Sequence, residues 1–319
     1  YLRRICTKVW ILMKDKKALI IGGRGMVGRQ LVELCSKIYR KVGVVDKDYN
    51  IPNDLPSNTK YYGLDMTHSS NTSIIADYDH IYHLAGIKGS PLRVKERPED
   101  YLPMLQFDTN VIRAVGRWKP DWFLYTSSVG VYPPSEFYNE DDVWDKVPSP
   151  NDKIPAYIKR MGELSCEAVS ITNDYKNISI VRPSNIYGPF DNFGDESTVI
   201  ASMIKKGYHN KVLNVWGDGT PIRDFIYSKD VARGMIHMVQ NRVNDVVNLG
   251  SGEEVRISDI ASVIGTYFGT EIEYDLTKPN GDMRRQMNTD RMKSYGFERE
   301  YTLQMGLTET IEYYEELQK

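Results

Sequence analysis

One segment, residues 18–31, reads ALIIGGRGMVGRQL. Its apolar start is typical of a buried parallel β-strand, and residues 26–38 have the apolar spacing of an amphipathic helix. Gly22, Gly25 and Gly28 lie where the strand passes into the helix. Glycines here let the chain turn sharply, approach a pyrophosphate and pack the helix on the strand, while the helix N-terminus offers free N–H groups to an anion. The segment therefore predicts a dinucleotide-binding turn; a glycine turn in another kind of α/β protein is the alternative.

The next strand indicates which dinucleotide is bound. Residues 42–45 form a short apolar run that ends at Asp46, about 20 residues beyond the glycines. A carboxylate at this position binds a ribose 2′-hydroxyl and repels a 2′-phosphate, so NAD is favoured over NADP. Two nearby cations, Lys47 and Arg24, keep NADP open as the less favoured cofactor. The residues assigned to the cofactor from this stretch are Gly22, Gly25, Met26, Val27, Gly28 and Asp46.

Composition argues against several other classes of protein. The 319 residues carry a net charge of −2 with no basic block, so we expect no nucleic-acid partner. Apolar runs are too short to span a membrane and the five histidines show no metal-binding spacing, so we expect neither a membrane segment nor a metal. Cys6, Cys35 and Cys166 lie far apart, which favours reduced thiols in a cytoplasmic protein. Residues 1–12 are expected to be an extension upstream of an ordinary start at Met13.

The glycine spacing Gly-x-x-Gly-x-x-Gly resembles that of the extended branch of the short-chain dehydrogenase/reductase superfamily. The resemblance covers residues 16–319. Residues 182–189, RPSNIYGP, closely match a signature of its nucleotide-sugar epimerases and dehydratases, and residues 190–206 and 214–227 are similar to GDP-fucose synthases. The resemblance implies an α/β fold, with a Rossmann-type doubly wound parallel sheet and a smaller C-terminal α/β substrate lobe.

The resemblance also divides the chain. Residues 13–183 and about 222–250 would form the NAD-binding Rossmann domain, and about 184–221 and 251–319 the substrate-binding lobe. A long helix is predicted from Pro98 to about Lys119. Its apolar stripe consists of Leu102, Leu105, Val111, Ile112 and Val115. Family members often place this helix in the four-helix bundle of a dimer, so the resemblance implies a homodimer.

More residues of the cofactor site are predicted at the ends of two further strands, and two more are implied by the resemblance. A strand over residues 61–65 ends in Asp65, for which the resemblance implies contact with adenine; capping of the following helix is an equal alternative. A strand over residues 80–84 runs into small residues that let the backbone approach the cofactor, and this stretch resembles a His-x-Ala-Ala/Gly signature of the family. The residues added to the cofactor site are Asp65, Leu84, Ala85, Gly86, Lys159 and Pro183.

The resemblance implies a catalytic serine and lysine. Ser128 lies four residues before the tyrosine of a Val-Tyr pair, as the family's catalytic serine does, and its hydroxyl would bind a sugar hydroxyl or ketone. The neighbouring Ser127 suits a hydroxyl that caps the strand end. Lys159 fits the lysine of the family's Tyr-x-x-x-Lys motif, which lowers the pKa of the tyrosine and holds the nicotinamide ribose.

The tyrosine of that motif is missing. Pro155 occupies its position, and proline can neither accept nor donate the proton of a sugar hydroxyl. Tyr157 is a candidate substitute only if the helix start is irregular, because it and Lys159 lie about 200° apart around a regular helix. Pro155 itself suits the first position of a helix.

The substrate residues are implied by the resemblance as well. Asn185 matches the family's asparagine that binds the sugar-nucleotide, Arg223 the arginine that clamps the diphosphate, and Arg285 a second arginine on the phosphate side. A guanidinium fork suits bidentate phosphate binding. A solvated surface arginine and a charged loop residue are the respective alternatives for the two arginines. The cysteine and histidine that a 3,5-epimerase needs are replaced by Gly130 and Phe190, so fucose synthesis itself is not predicted.

The sequence thus predicts an NAD-dependent nucleotide-sugar epimerase or dehydratase that acts through a transient keto-sugar, with a nucleotide-diphosphate sugar as substrate. Two alternatives stay open. One is a nucleotide-sugar keto-reductase. The other is a non-catalytic protein that binds NAD and a nucleotide sugar, which would explain intact binding motifs beside a missing acid/base. The sequence identifies neither the sugar nor the nucleobase.

Overall fold

The computed structural model describes residues 13–88, 91–194 and 196–319. Its β-strands are β1 Lys17–Ile21, β2 Lys41–Asp46, β3 Thr59–Gly63, β4 His80–His83, β5 Trp122–Thr126, β6 Phe137–Tyr138, β7 Ile178–Pro183, β8 Asn185–Tyr187, β9 Val212–Trp216, β10 Ile222–Arg223, β11 Phe225–Tyr227, β12 Val246–Leu249, β13 Val255–Arg256, β14 Glu271–Asp275 and β15 Arg284–Met287. Its α-helices are α1 Met26–Ile38, α2 Pro91–Glu96, α3 Leu102–Trp118, α4 Lys153–Asn173, α5 Val199–His209, α6 Ser228–Gln240, α7 Ile257–Phe268, α8 Asp290–Ser294 and α9 Leu303–Leu317.

Seven strands form one sheet in the order β12-β7-β5-β4-β1-β2-β3, and its pairs are parallel. The order reverses beside β1, with β2 and β3 on one side and the later strands on the other. A ligand crevice opens at the carboxyl ends of strands that flank such a reversal. Ile21, the last residue of β1, is in register with Val45 and with His83, so the glycine turn starts at this crevice. The predicted doubly wound Rossmann-type sheet is confirmed.

Helices cover both faces of the large sheet. On one face, α1 and α6 pack together around buried side chains such as Leu31 and Met235. On the other face, α3 and α4 pack together around Val111 and Ile158. A strand covered on both faces is apolar throughout, as residues 18–21 are, because neither face meets water.

A smaller lobe carries the sheet β13-β10-β15-β6 and the parallel pairs β8–β11 and β9–β14. Its separate apolar core includes Ile204, Ile264 and Leu307 from α5, α7 and α9. β6 comes from the long segment 132–151 and pairs with β15, so this segment reaches the smaller lobe beside the crevice. β10 also pairs within the smaller lobe, whereas β12 belongs to the large sheet. The two lobes therefore exchange chain segments, and the exact domain limits stay a prediction.

The structure corrects the helix predicted over residues 98–119. Residues 98–101 form a 3₁₀ turn, and α3 begins at Leu102. Its buried apolar stripe is formed by Met104, Phe107, Val111, Ile112 and Val115. The sequence analysis places Leu102 and Leu105 in that stripe, but they are 53% and 39% exposed. The reason is helical geometry: at about 100° per residue, Leu102 lies half a turn away from Val111.

The predictions about cysteines and membrane segments can be compared with the structure only for the described residues. Residues 1–12, which include Cys6 and the predicted extension, lie outside the described residues. Cys35 and Cys166 are free thiols, and burial raises the pKa of both. Among the helices of the described ranges, none is both long and apolar enough to cross a membrane. The cytoplasmic location stays a prediction.

Candidate active site

A cleft of about 600 Å³ opens at the carboxyl ends of β1, β4 and β5, where the smaller lobe faces the large sheet. Most of the residues predicted for cofactor, catalysis and substrate meet here. Those that line the cleft are Gly22, Gly25, Met26, Val27, Gly28, Leu84, Ala85, Gly86, Ser128, Lys159, Asn185, Arg223 and Arg285. Four others, Asp46, Asp65, Tyr157 and Pro183, are not among the described residues that line it.

The glycine turn is packed too tightly for larger residues at two of its three positions. Gly22 has φ +86°, and a Cβ on it would lie 2.7 Å from the backbone N of Ala85. A Cβ on Gly28 would lie 2.3 Å from the carbonyl oxygen of Gly22, so α1 starts in direct contact with the turn. At Gly25 the nearest atom would be 3.5 Å away, which leaves this backbone open toward the cleft. The turn therefore fits the pyrophosphate of a dinucleotide.

Asp46 ends β2 next to this turn. Its Oδ2 accepts a hydrogen bond from the backbone N–H of Arg24 at 3.1 Å, which fixes the carboxylate beside the glycines. The guanidinium of Arg24 forms an ion pair with Asp48 and donates to the carbonyl of Asn50 at 3.1 Å. Because the charge of Arg24 is compensated by Asp48, it offers less attraction to a 2′-phosphate, and this arrangement favours NAD over NADP.

Asp65 and Pro183 do not line the cleft, and their contacts lie in the surrounding structure. Asp65 Oδ1 accepts hydrogen bonds from the N–H and the Oγ1 hydroxyl of Thr67 at 2.9 and 2.8 Å, and the backbone bond lowers the pKa of the carboxyl group. These bonds stabilise a local turn. The alternative of helix capping is not observed, because the N-cap of the following 3₁₀ helix is His68. Pro183 is buried at the end of β7, and the next residue, Ser184, lines the cleft in its place.

Lys159 lies in the cleft above a buried polar cluster. Its side chain is 8% exposed, and its Nζ lies 3.5 Å from Asp108 Oδ2 and 4.8 Å from the centre of the Tyr125 ring. Tyr125 donates to Asp108 Oδ2 at 2.6 Å, and His83 Nε2 lies 2.7 Å from Oδ1. Burial alone would raise the pKa of Asp108, but Lys159 and His83 hold it below its ordinary value. The cluster therefore keeps a negative charge under Lys159 and fixes the ammonium at the cleft.

Ser127 and Ser128 have different roles although they are adjacent. Ser127 is buried, and its hydroxyl donates to the carboxylate of Glu163 on α4 instead of capping the strand end. Ser128 precedes a 3₁₀ turn, accepts the N–H of Gly130 at 3.1 Å and lines the cleft. The Ser128 hydroxyl still has its proton to donate, so it can bind a substrate oxygen.

The start of α4 differs from the prediction for Pro155 but agrees with the expected orientation of Tyr157. Asp152 is the N-cap and Lys153 the first helical residue, so Pro155 is the third, where the N–H of any residue would lack a partner within the helix. Pro155 lines the cleft. Tyr157 is 40% exposed and lies against the guanidinium of Arg160, 5.9 Å from the ring centre. The regular helix turns Tyr157 away from Lys159, and the structure does not support Tyr157 as the substitute acid/base.

Two arginines form the other end of the cleft. Arg285 Nη1 pairs with Asp152 Oδ2 at 2.9 Å, and its guanidinium also binds Asp282. Within the described part of the chain, Arg223 forms no ion pair; its Nη1 donates to the carbonyl of Ile222 at 2.8 Å. Burial and the neighbouring Arg285 lower the pKa of Arg223, although the carboxylates of Asp282 and Asp152 act in the opposite direction. The arrangement fits a diphosphate, whose oxygens would pair with the guanidinium of Arg223.

Asn185 lies beside these arginines. Its Nδ2 donates to the carbonyl oxygen of Asp224 at 2.8 Å, which fixes the amide plane while its oxygen stays available to a ligand. No group of three or more histidine, cysteine, aspartate or glutamate side chains that could hold a metal ion occurs within residues 13–88, 91–194 and 196–319.

Sequence reasoning missed the partners that hold these groups. Asp108, His83 and Tyr125 come from three different elements, and Asp152 lies in a segment with no recognisable motif. One signal was available: Asp108 is a carboxylate on the buried face of α3, between Met104 and Val111. A charged group on such a face calls for a buried partner.

Comparison with known proteins identifies the family of this chain. The model of the NAD dependent epimerase/dehydratase family matches residues 18–250. A GDP-L-fucose synthase of Sinorhizobium fredii is 26% identical over 316 residues, covering 94% of this chain and 96% of that protein. A UDP-N-acetyl-alpha-D-glucosaminuronate decarboxylase of Bacillus cytotoxicus is 27% identical over 329 residues, covering 95% and 99%. An epimerase structure from Methanothermobacter thermautotrophicus superposes with a TM-score of 0.85 at 22% identity, covering 97% of this chain and 95% of that one. The chain therefore belongs to the NAD-dependent epimerase/dehydratase family.

Proposed function

We propose that this protein converts a nucleotide-diphosphate sugar through a transient keto-sugar, as an epimerase or a dehydratase. One observation carries the proposal: a single cleft joins the glycine turn, Ser128 and Lys159, and the arginines Arg223 and Arg285. NAD, when bound, supplies the oxidation and later reduction of a sugar carbon. The two similar enzymes named above carry a GDP-sugar and a UDP-sugar in their names, which supports the substrate class.

Each chain group has a distinct role in this proposal. The open backbone at Gly25 binds the cofactor's pyrophosphate, and Lys159, held by Asp108, binds the ribose next to the nicotinamide. Ser128 binds the hydroxyl or ketone of the sugar, and Arg223 and Arg285 bind the diphosphate, with Asn185 beside them. Ordered contacts at both ends of the substrate place the sugar between Ser128 and the cofactor site.

The proposed reaction is not fucose synthesis. Gly130 lines the cleft without a side chain, so it supplies no proton carrier. The ring of Phe190 packs between the guanidinium of Arg29 and the ring of Tyr313, each 4.8 Å from its centre. Neither position can exchange protons on the two faces of a sugar ring, which a 3,5-epimerisation requires.

A turnover assay tests the proposal. The purified protein is incubated in heavy water with NAD and, in turn, UDP-, GDP-, CDP- and dTDP-hexoses, and the products are read by NMR. We expect a new epimer or keto-sugar from at least one substrate. Deuterium at C5 would indicate dehydration or C5 epimerisation, and its absence in a new epimer would indicate C4 epimerisation.

The same panel separates the alternatives. A reduced sugar that forms only with a keto-sugar and NADH would identify a keto-reductase. Binding of NAD and a nucleotide sugar without turnover would identify the non-catalytic protein, which the proline at position 155 favours. Either result would contradict the proposed epimerase or dehydratase activity.

We also infer that two copies pair through α3 and α4. On α4, exposed side chains recur at the spacing of a helix–helix seam, and Met161 and Ile171 among them are 50% and 75% exposed. These residues are Tyr157, Met161, Leu164, Ala168 and Ile171. The neighbouring helix α3 adds the exposed Leu102 and Leu105. A second copy would cover this apolar surface by forming a four-helix bundle, which also explains why Tyr157 faces outward.

Analytical ultracentrifugation tests the dimer. The wild type is expected to sediment at twice the chain mass, and Met161→Glu at the mass of one chain, because the charge would be buried in the seam. Met305→Glu is the matched control, since Met305 on α9 is 48% exposed and lies outside the two helices. A wild type that sediments as one chain, or a Met161→Glu variant that stays dimeric, would contradict the inferred surface.

A further inference from the structure

The carboxylate of Asp152 has an unusual position for a helix N-cap. An N-cap aspartate ordinarily accepts a hydrogen bond from the N–H of the second or third helical residue. Asp152 makes no such bond, and the third residue of α4 is Pro155, which has no N–H to offer. The carboxylate instead faces the cleft and pairs with Arg285 at 2.9 Å. The substitution that removes the family's tyrosine thus also removes one of the two usual partners of a nearby acid.

Asp152 and Ser128 both line the cleft beside Gly130. A Cβ on Gly130 would lie 3.5 Å from Ser128 Oγ and 3.6 Å from Asp152 Cγ. The sum of these distances, about 7 Å, is therefore the upper limit on the separation of the hydroxyl from the carboxyl carbon. An oxygen that hydrogen-bonds both groups spans about 5.5 Å, and a carboxylate oxygen extends about 1.2 Å beyond its carbon. Ser128 and Asp152 are therefore close enough for one sugar hydroxyl to hydrogen-bond both.

The ionisable side chains that could replace Asp152 near Ser128 have other contacts. Lys159 is held by Asp108 and Tyr125, and Tyr157 lies on the outer face of α4. Asp282 also lines the cleft, but it binds the guanidinium of Arg285 from the loop before β15, and the acid that lies nearest to Gly130 in the described structure is Asp152. Asp152 is the carboxylate that the fold brings next to the serine.

We propose that Asp152 exchanges the proton of the reacting sugar hydroxyl in place of the missing tyrosine. This rests on the proposed function. In the oxidation, the hydroxyl proton passes to Asp152, the O–H electron pair becomes the second C–O bond, and the hydrogen on that carbon leaves with its two electrons to NAD. In the reduction, the same proton returns from Asp152 to the sugar oxygen. The charges balance because the carboxylate becomes a neutral acid for the lifetime of the ketone.

Arg285 couples this proton transfer to the arrival of substrate. The guanidinium is shared by two carboxylates, Asp152 and Asp282, before any phosphate is present. A diphosphate that binds Arg285 competes for the same donors, and Asp282 alone can keep the arginine in place. The Asp152 carboxylate then loses this ion pair, and its oxygen can accept the hydrogen bond of the sugar hydroxyl.

A pair of isosteric variants tests the proposal. Asp152→Asn and Asp282→Asn each remove one negative charge from Arg285 in the same cleft. Their kcat and KM are measured with the nucleotide sugar that the wild type converts, and calorimetry with UDP and GDP measures binding of the diphosphate. We expect Asp152→Asn to lower kcat about 10²–10⁴-fold, with nucleotide affinity within about threefold of the wild type. Asp282→Asn is expected to lower kcat less than tenfold.

Each outcome is decisive. Equal losses of kcat in the two variants would show that kcat depends on the negative charge around Arg285. They would overturn the role of Asp152 in proton transfer. Wild-type kcat in Asp152→Asn would overturn it as well. A wild type that converts no sugar of the panel overturns the proposed function, and this inference with it, whereas an active wild type with an unimpaired Asp152→Asn variant overturns this inference alone.

Discussion

Replacing Glu163 with glutamine is expected to lower the free energy of unfolding by about 3–5 kcal/mol, because it leaves a buried arginine without its counter-charge. The partner is Arg182 on β7, whose side chain is 1% exposed, and the Glu163 side chain on α4 is 4% exposed. For a chain of this size such a loss lowers the unfolding midpoint by on the order of 10 °C.

The geometry explains why the loss is large. Arg182 donates from Nε and Nη2 to the two oxygens of Glu163 at 2.9 and 2.6 Å, a bidentate arrangement. Its Nη1 donates to the carbonyl of Glu140 at 2.6 Å and to the hydroxyl of Tyr132 at 3.0 Å. Burial alone would lower the pKa of Arg182, but Glu163 raises it above the ordinary value, so the arginine stays charged. Glutamine can accept one of these bonds but supplies no charge.

The measurement is thermal and urea unfolding of the variant beside a matched control. Glu167→Gln makes the same chemical change on α4 one turn further along, where the side chain is exposed. We expect the control to unfold within about 0.5 kcal/mol of the wild type. A Glu163→Gln variant as stable as this control would show that the charge of Glu163 contributes nothing beyond the hydrogen bonds that a neutral amide can make.

The Glu163–Arg182 pair is an example of a contact that could not be predicted from the sequence. The two residues are 19 positions apart and belong to elements whose relative rotation decides whether the side chains meet. Asp152 and Arg285 are 133 positions apart, so their contact depends on how the smaller lobe packs. Such contacts follow from tertiary packing, and one sequence without homologues carries no signal for them.

Local patterns, in contrast, were sufficient for the large sheet. The strand that ends at Ile21, the glycine turn and the helix from Met26 depend on short-range rules, and the structure has them where the sequence predicts them. Helical periodicity also predicted that Tyr157 faces away from Lys159. The prediction for Leu102 and Leu105 was wrong because an apolar side chain on a helix can pack in the core of its own chain or lie exposed for contact with a second chain.

Replacing Gly28 with alanine is expected to cost about 3 kcal/mol of stability and at least 100-fold in NAD affinity. The added methyl carbon would lie 2.3 Å from Gly22 O and 2.8 Å from the Cα and the carbonyl carbon of Gly23. All three are backbone atoms, so no side-chain rotation relieves the contact, and the cost falls at the upper end of the usual range for overpacking. Helix α1 must move away from the turn, which withdraws the helix N-terminus from the phosphates.

Gly25→Ala is the matched control for this prediction, since it adds the same methyl group three residues earlier. At Gly25 the backbone has φ −68°, which any residue adopts, and the nearest atom to the new carbon would be 3.5 Å away. The control should therefore unfold as the wild type does. It should nevertheless bind NAD more weakly, because the methyl group enters the space that the pyrophosphate needs.

The two variants separate the fold from the site when unfolding and NAD titration calorimetry are run side by side. Gly28→Ala is expected to change both measurements, and Gly25→Ala only the second. Normal stability in Gly28→Ala would mean that α1 can shift without cost, which would contradict the close packing of the helix on the turn. Normal NAD affinity in Gly25→Ala would place the pyrophosphate elsewhere in the cleft, because a phosphate in contact with this backbone leaves no room for a Cβ.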